Sequence, residues 1–153
     1  MKKILAMLLA LVMVLSLAAC ASTQPAAEPA ASSDAPAESG KTYTVGVCQL
    51  VQHEALDAAT QGFVDALKDE LGDAVTIDVQ NASGDSVNCG TIVNGFVAKG
   101  VDLIMANATP ALTAAVSATA DIPILGTSIT AYGVALDIDD FSGTVGGNVS
   151  GTS

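Results

Sequence analysis

Short apolar runs alternate with longer amphipathic segments along most of the chain. Four apolar runs predict buried β-strands at residues 43–48, 74–80, 101–107 and 122–126, and residues 147–151 predict the start of a fifth. Three segments between the first four runs place apolar residues three and four positions apart. This spacing predicts helices at residues 53–71, 86–99 and 110–120. The chain therefore alternates predicted strands with predicted helices.

The ends of the predicted helices carry residues that commonly start or stop a helix. Gly72 follows the first helix, where glycine is favoured because it tolerates a positive φ. Asp85 or Ser86 is positioned to cap the second helix, and Thr109 to cap the third, with Pro110 in its first turn. The apolar face predicted for the first helix consists of Leu56, Ala59, Phe63, Leu67 and Leu71.

Strands and helices in this order predict an α/β fold with a doubly wound, Rossmann-like parallel sheet. Ligands of such sheets bind beyond the carboxyl ends of the strands, against helix N-termini. Those positions fall in four loops, at residues 49–53, 81–85, 108–110 and 127–132. The loops suit a small polar ligand because they are rich in uncharged hydrogen-bonding residues: Gln49, Gln52, His53, Asn81, Ser83, Asn107, Thr109, Ser128, Thr130 and Tyr132.

Three of the loops have both a functional and a purely structural interpretation. Thr109 and Pro110 at a helix N-terminus would offer a ligand carboxylate free amide donors, a hydroxyl and a partial positive charge. The same pair is also an ordinary helix start. Residues 81–85 form either a ligand-contacting loop or a simple turn and cap. His53 is expected either to cap the first helix or to contact the ligand.

Composition excludes one class of partner. The chain of 153 residues has 16 acidic residues against 5 basic ones, and its formal net charge is -11. Too few basic side chains remain to neutralise phosphates, so nucleic-acid binding is excluded. Half of the residues are hydrophobic but only 3% are aromatic. The core must therefore be aliphatic, and the length allows one domain of ordinary size.

The reactive side chains do not form a recognisable catalytic or metal site. His53 is the only histidine, and the three cysteines lack the C-x-x-C spacing of metal and redox sites. Cys48 and His53 lie near one strand end but have no third member to complete a nucleophilic site. Asp137, Asp139 and Asp140 lack the glycine and glutamate of a calcium loop. The chain also has no nucleotide-binding motif, so we expect no cofactor and no enzymatic activity.

Two cysteines, Cys48 and Cys89, fall in the predicted domain. Cys89 shares a helix face with Val93 and Phe96, which favours two buried free thiols. A disulfide between them is the alternative. The acidic residues of the first helix are expected to form a solvated face: Asp57, Asp65, Asp69 and Glu70.

The N-terminus carries a targeting segment. Two lysines precede a short apolar stretch, so residues 1–19 are interpreted as a signal peptide. Residues 17–20, Leu-Ala-Ala-Cys, resemble a bacterial lipobox, which predicts that Cys20 is lipidated and anchors the protein to the membrane. Residues 20–42 are rich in Ala, Ser and Pro and are expected to be a disordered tether. The globular part is residues 43–153.

Five segments of the globular part resemble one protein family. They are VGVCQLVQHEALDAA at 45–59, NASGD at 81–85, DLIMANATPA at 102–111, IPILGTSIT at 122–130 and GGNVSGTS at 146–153. In this order they resemble the N-terminal half of the ABC-transporter substrate-binding lipoproteins of the tryptophan/tyrosine type. The resemblance covers residues 44–153 and includes all four loops.

The resemblance implies a type I periplasmic-binding-protein fold, in which two α/β lobes close on an amino acid. The ligand would then pass to an ABC permease and its ATPase. Two departures from the family are Ala131, where aspartate is common and could pair with the ligand ammonium, and Glu54, where many members have proline. Matched loop by loop, the resemblance assigns ligand contact to Gln49, His53, Asn81, Thr109, Ser128 and Thr130.

Family members continue through a second lobe of similar size. The resemblance therefore favours the interpretation that residues 43–153 are the N-terminal lobe of a longer protein. The alternative is a truncated product with weak or no ligand binding. The function expected is capture of a small polar ligand, an amino acid, for an ABC importer at the extracytoplasmic face of the cell membrane. The alternatives are a ligand-sensing module for a membrane sensor kinase or chemoreceptor and, third, an enzyme of flavodoxin-like or hydrolase type.

Overall fold

The computed structural model describes residues 40–152. The predicted signal peptide, the lipidation site Cys20 and most of the predicted tether lie outside the described residues. Within them, no helix is both long enough and apolar enough to cross a bilayer. The strands are β1 (Tyr43–Gln49), β2 (Val75–Asn81), β3 (Leu103–Asn107), β4 (Ile124–Thr127) and β5 (Val149–Gly151). The helices are α1 (Glu54–Leu71), α2 (Ser86–Lys99), α3 (Thr109–Ala118) and α4 (Tyr132–Ala135).

The five strands form one parallel sheet in the order β2-β1-β3-β4-β5. This confirms the predicted doubly wound α/β fold, because the chain first moves outward from β1 to β2 and then crosses back to β3. The strand order reverses between β1 and β3. Ligands of open parallel sheets bind at such a reversal, just outside the carboxyl ends of the two strands.

Helices cover the two faces of the sheet unequally. On one face, α2 and α3 pack side by side over a core that includes Cys48, Ile104 and Leu112. Phe96 of α2 lies so close to β1 that a Cβ added at Gly46 would be 2.6 Å from its ring. Glycine at position 46 therefore lets helix and sheet approach closely.

Helix α1 covers the opposite face of the sheet and contacts β1, β2 and β3. Its buried residues are Thr60 and Val64. All five residues of the predicted apolar face are partly buried, and apart from Thr60 and Val64 the other residues of α1 are exposed, so the predicted face is confirmed. A single helix on this face leaves the side chains at its flanks partly open, and the line of closest contact falls on residues 60 and 64.

Most of the predicted helix ends agree with the structure, and the start of α3 is the exception. Asp85 caps α2 by accepting a hydrogen bond from the Val87 amide at 2.8 Å. The prediction that Thr109 caps α3 was wrong, because Thr109 is the first helical residue and Ala108 occupies the cap position. Ala108 has φ 93° and ψ 156°, a backbone conformation that is nearly restricted to glycine. The chain therefore turns into the helix one residue earlier than predicted.

Helix α4 was not predicted, because it begins at Tyr132, the last residue of the predicted polar loop at 127–132. The Tyr132 ring is buried and stacks on Phe141 at a centroid distance of 6.5 Å. Its hydroxyl donates a hydrogen bond to the Thr152 carbonyl at 3.3 Å. Tyr132 therefore connects the segment after β4 to the end of β5 and is a structural residue.

Cys48 and Cys89 are both buried free thiols, as the favoured interpretation predicted. Cys89 lies with Val93 and Phe96 in the core between α2 and the sheet. The alternative of a disulfide between Cys48 and Cys89 was wrong. The two thiols act as small apolar residues in this core.

Candidate ligand-binding edge of the sheet

Four polar residues stand in one row where the strands end. Asn81 pairs with Gln49, Gln49 with Asn107, and Asn107 with Thr127. Because neighbouring strands are about 4.8 Å apart, the row extends about 14 Å across the sheet. The predicted strand-end loops therefore open along one continuous edge.

The loops after β1 and β3 are bonded to neighbouring strand ends by backbone hydrogen bonds. The Leu50 amide donates to the Asn107 carbonyl at 3.2 Å, and the Ala108 amide donates to the Thr127 carbonyl at 3.0 Å. These bonds extend the strand pairing by one residue on either side of the reversal in strand order. The glycine-like backbone of Ala108 then turns the chain directly into α3.

A buried hydrogen-bond network connects α1 to the ends of β1 and β3. The Thr60 hydroxyl donates to Gln49 Oε1 at 2.6 Å and accepts from Asn107 Nδ2 at 2.9 Å. Asn107 Nδ2 also donates to the Leu56 carbonyl at 2.8 Å. Gln49, Thr60 and Asn107 are all less than 9% exposed. Buried polar groups need such partners, so the network fixes the helix over the point where the strand order reverses.

Asp57 extends this network toward the surface. Gln49 Nε2 donates to Asp57 Oδ1 at 2.6 Å and to the Val51 carbonyl at 2.9 Å. Together with the bond from Thr60, these contacts engage both ends of the Gln49 carboxamide. Asn107 Oδ1 is the one buried side-chain oxygen or nitrogen in the described part of the chain that has no partner.

A cavity of about 270 Å³ opens between α1 and the carboxyl ends of β1 and β2. Its polar lining consists of amide side chains, one hydroxyl and one carboxylate, and Val79 provides an apolar wall. The lining residues are Gln49, Gln52, Asp57, Thr60, Gln61, Val79 and Asn81. Two of the predicted ligand residues, Gln49 and Asn81, therefore share one cavity.

The other predicted ligand residues lie elsewhere. His53 caps α1, where its Nδ1 accepts a hydrogen bond from the Ala55 amide at 3.2 Å. Thr109 lines a separate groove between α2 and α3. Ser128 and Thr130 are exposed in the loop after β4, on either side of the buried Ile129. The structure thus brings Gln49 and Asn81 together and leaves Thr109, Ser128 and Thr130 outside their cavity.

The loop after β2 forms the predicted turn and cap. Asn81 Oδ1 accepts a hydrogen bond from the Ser83 amide at 2.8 Å, and the Asn88 side chain donates to the Ala82 carbonyl at 3.1 Å. The Asn81 side chain remains exposed. Its oxygen is therefore engaged in the turn, whereas its amide nitrogen is available to a molecule in the cavity.

Comparison with known proteins identifies the family. The sequence profile described as ABC transporter substrate binding protein matches residues 44–153. The chain belongs to this family. A curated relative, the tyrosine-binding protein of Clostridioides difficile strain R20291, is 39% identical over an alignment of 159 positions, which covers 99% of this chain and 44% of the relative.

Solved structures of similar proteins confirm the fold of this ABC transporter substrate-binding protein. One is the ligand-free, open structure of a substrate binding protein with adhesive properties from Clostridium difficile. It has a TM-score of 0.67 and 42% identity, and the match covers 73% of this chain and 39% of that one. Another is the ABC domain in complex with L-Trp from Streptococcus pneumoniae. It has a TM-score of 0.66 and 37% identity over 72% of this chain and 38% of that one. The substrate-binding chain therefore spans less than half the length of these relatives.

Cys48 and His53 of this substrate-binding protein do not form a catalytic pair. Burial and, to a lesser extent, the nearby Cys89 thiol together raise the pKa of the Cys48 thiol to about 12. A thiol with this pKa stays protonated at neutral pH and is a poor nucleophile. His53 is engaged as a helix cap. Among residues 40–152, no three His, Cys, Asp or Glu side chains are grouped to hold a metal ion.

Three residues of the network were absent from the predicted site: Asp57, Thr60 and Asn107. Asp57 is exposed, as predicted for the acidic face of α1, yet it also lines the cavity. Thr60 could have been noticed because it lies four residues from Leu56 and from Val64, so a hydroxyl interrupts an apolar line. Asn107 belonged to the predicted polar loop set, but nothing in its local sequence indicates a contact with α1.

Proposed function

We propose that this chain forms the ligand-binding N-terminal lobe of an extracytoplasmic solute-binding lipoprotein. It captures a small polar ligand, an amino acid, and delivers it to an ABC permease and ATPase. The first candidates are L-tyrosine and L-tryptophan, because one relative is described as tyrosine-binding and a similar structure contains L-Trp. The protein acts by binding alone and catalyses no reaction.

The observation that carries this proposal is the row of polar side chains along the carboxyl edge of the sheet. Gln49 and Asn107 stand side by side where the strand order reverses, with Asn81 and Thr127 beyond them. A polar row at this place suits a ligand with several hydrogen-bonding groups, such as an amino acid.

Ligand contact is proposed for the half-buried Thr109 and for four exposed polar side chains around this edge: His53, Asn81, Ser128 and Thr130. Gln49 is proposed to act mainly through its neighbours, because its carboxamide is engaged by Thr60, Val51 and Asp57. Thr109 opens α3, whose N-terminal amides favour a carboxylate. The ligand would therefore direct its carboxylate toward α3.

Isothermal titration calorimetry of the full-length protein with each amino acid tests this function. We expect saturable binding of L-tyrosine or L-tryptophan. Thr109→Val should weaken that binding by about 1–3 kcal/mol, because a charged carboxylate loses a hydrogen-bond donor. Thr91→Val on the outside of α2 is the matched control and should leave affinity unchanged. The proposal would be refuted if none of the amino acids bound to the protein.

The membrane anchor is a separate part of the proposal. We propose that Cys20 carries the lipid and that the following residues connect the lobe to the outer face of the membrane. The support is the lipobox-like Leu-Ala-Ala-Cys after a short apolar stretch. Cys20→Ala should abolish incorporation of labelled fatty acid and release the protein from membranes. A membrane fraction unchanged by this substitution would contradict the anchor.

A further inference from the structure

We propose that Asp57 binds a protonated amine of the ligand in the cavity beside α1, and that Gln49 is the positioning residue for its carboxylate. This inference rests on the proposed function and adds to it the group that selects for a cationic ligand. It also assigns a binding role to a residue that the sequence pattern places on the solvated face of α1.

The charge of the cavity supports a cation. Asp57 is the one ionisable residue in its lining, and the other polar lining residues are neutral. Within residues 40–152, the one ion pair joins Lys99 to Asp78, so no basic side chain of this part neutralises Asp57. A protonated amine in the cavity would neutralise the negative charge of Asp57.

The network determines which way the Gln49 carboxamide points. Asn107 Nδ2 donates to the Thr60 oxygen, so the Thr60 hydroxyl hydrogen is directed to Gln49 Oε1. Gln49 Nε2 is then directed to two acceptors, the Val51 carbonyl and Asp57 Oδ1. Because Gln49 and Thr60 are buried, this orientation cannot readily be reversed.

The Asp57 carboxylate is therefore held by a hydrogen bond to only one of its two oxygens. Oδ1 of Asp57 accepts from Gln49, while no donor among the described residues reaches Oδ2. A primary ammonium group has three donors, and a charge-assisted bond to Oδ2 would use one of them. Gln52 and Gln61 line the same cavity, and their side chains carry amide oxygens that are suited to accept the others.

The cavity also fits the carbon atoms next to an amine. Its volume of about 270 Å³ admits an ammonium group together with the carbon atoms nearest to it. Val79, which is 48% exposed, gives those carbons an apolar wall. The carboxylate of an amino acid is on the carbon that bears the amine, so it would lie outside the cavity, toward α3.

The test compares L-tyrosine with 3-(4-hydroxyphenyl)propionic acid, which lacks only the amine. For the full-length wild-type protein, calorimetry should give about tenfold tighter binding of the amine-bearing compound, or more, as for other charge-assisted hydrogen bonds. Asp57→Asn should bring the two affinities close together. Gln49→Met should also reduce their ratio, because Asp57 then loses the donor that positions its carboxylate.

Glu54→Gln is the matched control. Glu54 is the other acidic residue in the first turn of α1, and it does not line the cavity. Both substitutions remove a charge that favours the helix N-terminus, so both should lower Tm slightly. Only the change at Asp57 should alter the affinity ratio. If the Gln49 variant does not fold, the Asp57 and Glu54 variants still decide the question.

Two failures are distinguishable. A wild-type protein that binds no amino acid refutes the proposed function and this inference with it. Binding of L-tyrosine with an affinity ratio that Asp57→Asn does not change refutes this inference and leaves the proposed function intact. An equal change of the ratio in Glu54→Gln would also overturn it, because the effect would then come from general charge.

Discussion

The hydroxyl of Thr60 in α1 forms hydrogen bonds with Gln49 at the end of β1 and with Asn107 at the end of β3. Removing this hydroxyl therefore tests the network directly. Thr60→Val keeps the shape of the side chain and replaces the hydroxyl by a methyl group. The substitution deprives Gln49 Oε1 of its donor and removes one of the two acceptors of Asn107 Nδ2. Both partners are more than 95% buried, so water cannot readily replace the lost bonds.

The expected loss follows from these two contacts. A buried acceptor left without a donor costs about 1–3 kcal/mol, and the loss of a second hydrogen bond costs about 1 kcal/mol. Thr60→Val should therefore lower the free energy of unfolding by about 2–4 kcal/mol. Thr60→Ser keeps the hydroxyl and removes one methyl group, which should cost only about 1 kcal/mol.

Urea unfolding followed by far-UV circular dichroism is a suitable assay, because the chain has no tryptophan to report by fluorescence. Thr91→Val is the control, since the exposed Thr91 hydroxyl bonds only to the Val87 carbonyl of its own helix. It should change stability by less than about 0.5 kcal/mol. The network would be refuted if Thr60→Val cost no more than this control, or if Thr60→Ser cost as much as Thr60→Val.

Three further outcomes are expected. Gly46→Ala should cost about 1–3 kcal/mol in urea unfolding, because its new Cβ meets the Phe96 ring; a neutral effect would contradict that packing. Cys48 and Cys89 should resist iodoacetamide at pH 8 until the chain unfolds, because burial keeps their thiols protonated; rapid labelling of the native protein, measured by mass, would exclude this. Ala108→Gly should raise the free energy of unfolding by about 1 kcal/mol by relieving a glycine-like backbone, and a loss of stability would contradict the strain.

The sheet was predictable from the sequence because its elements have local patterns. The apolar runs located all five strands within two residues at each end, and Asp85 and Gly72 marked helix ends by their own chemistry. Two errors also have local causes. An alanine with positive φ, as at Ala108, leaves no pattern in the sequence. The four residues of α4 are too short to show a helical period.

The candidate site was only partly predictable, because its contacts join distant parts of the chain. The sequence locates Gln49 and Asn81 at strand ends, and the parallel pairing of β1 with β2 brings them together. The contact of Thr60 with Asn107 spans 47 residues and depends on the register of β3 and on the rotation of α1. Neither quantity follows from hydrophobic spacing, so Thr60 could be recognised only as a polar residue in an apolar line.

The row of strand-end residues from Asn81 to Thr127 follows the twist of the sheet. Neighbouring strands of a sheet rotate by about 20–25° relative to one another, so three steps from β2 to β4 turn the edge by about 60–75°. The loops after these two strands therefore face different directions, and a flat, rigid ligand cannot lie against both. Loops this far apart are also expected to contribute independently to ligand preference. Selectivity in this lobe can thus change at one end of the edge while the contacts at the other end are retained.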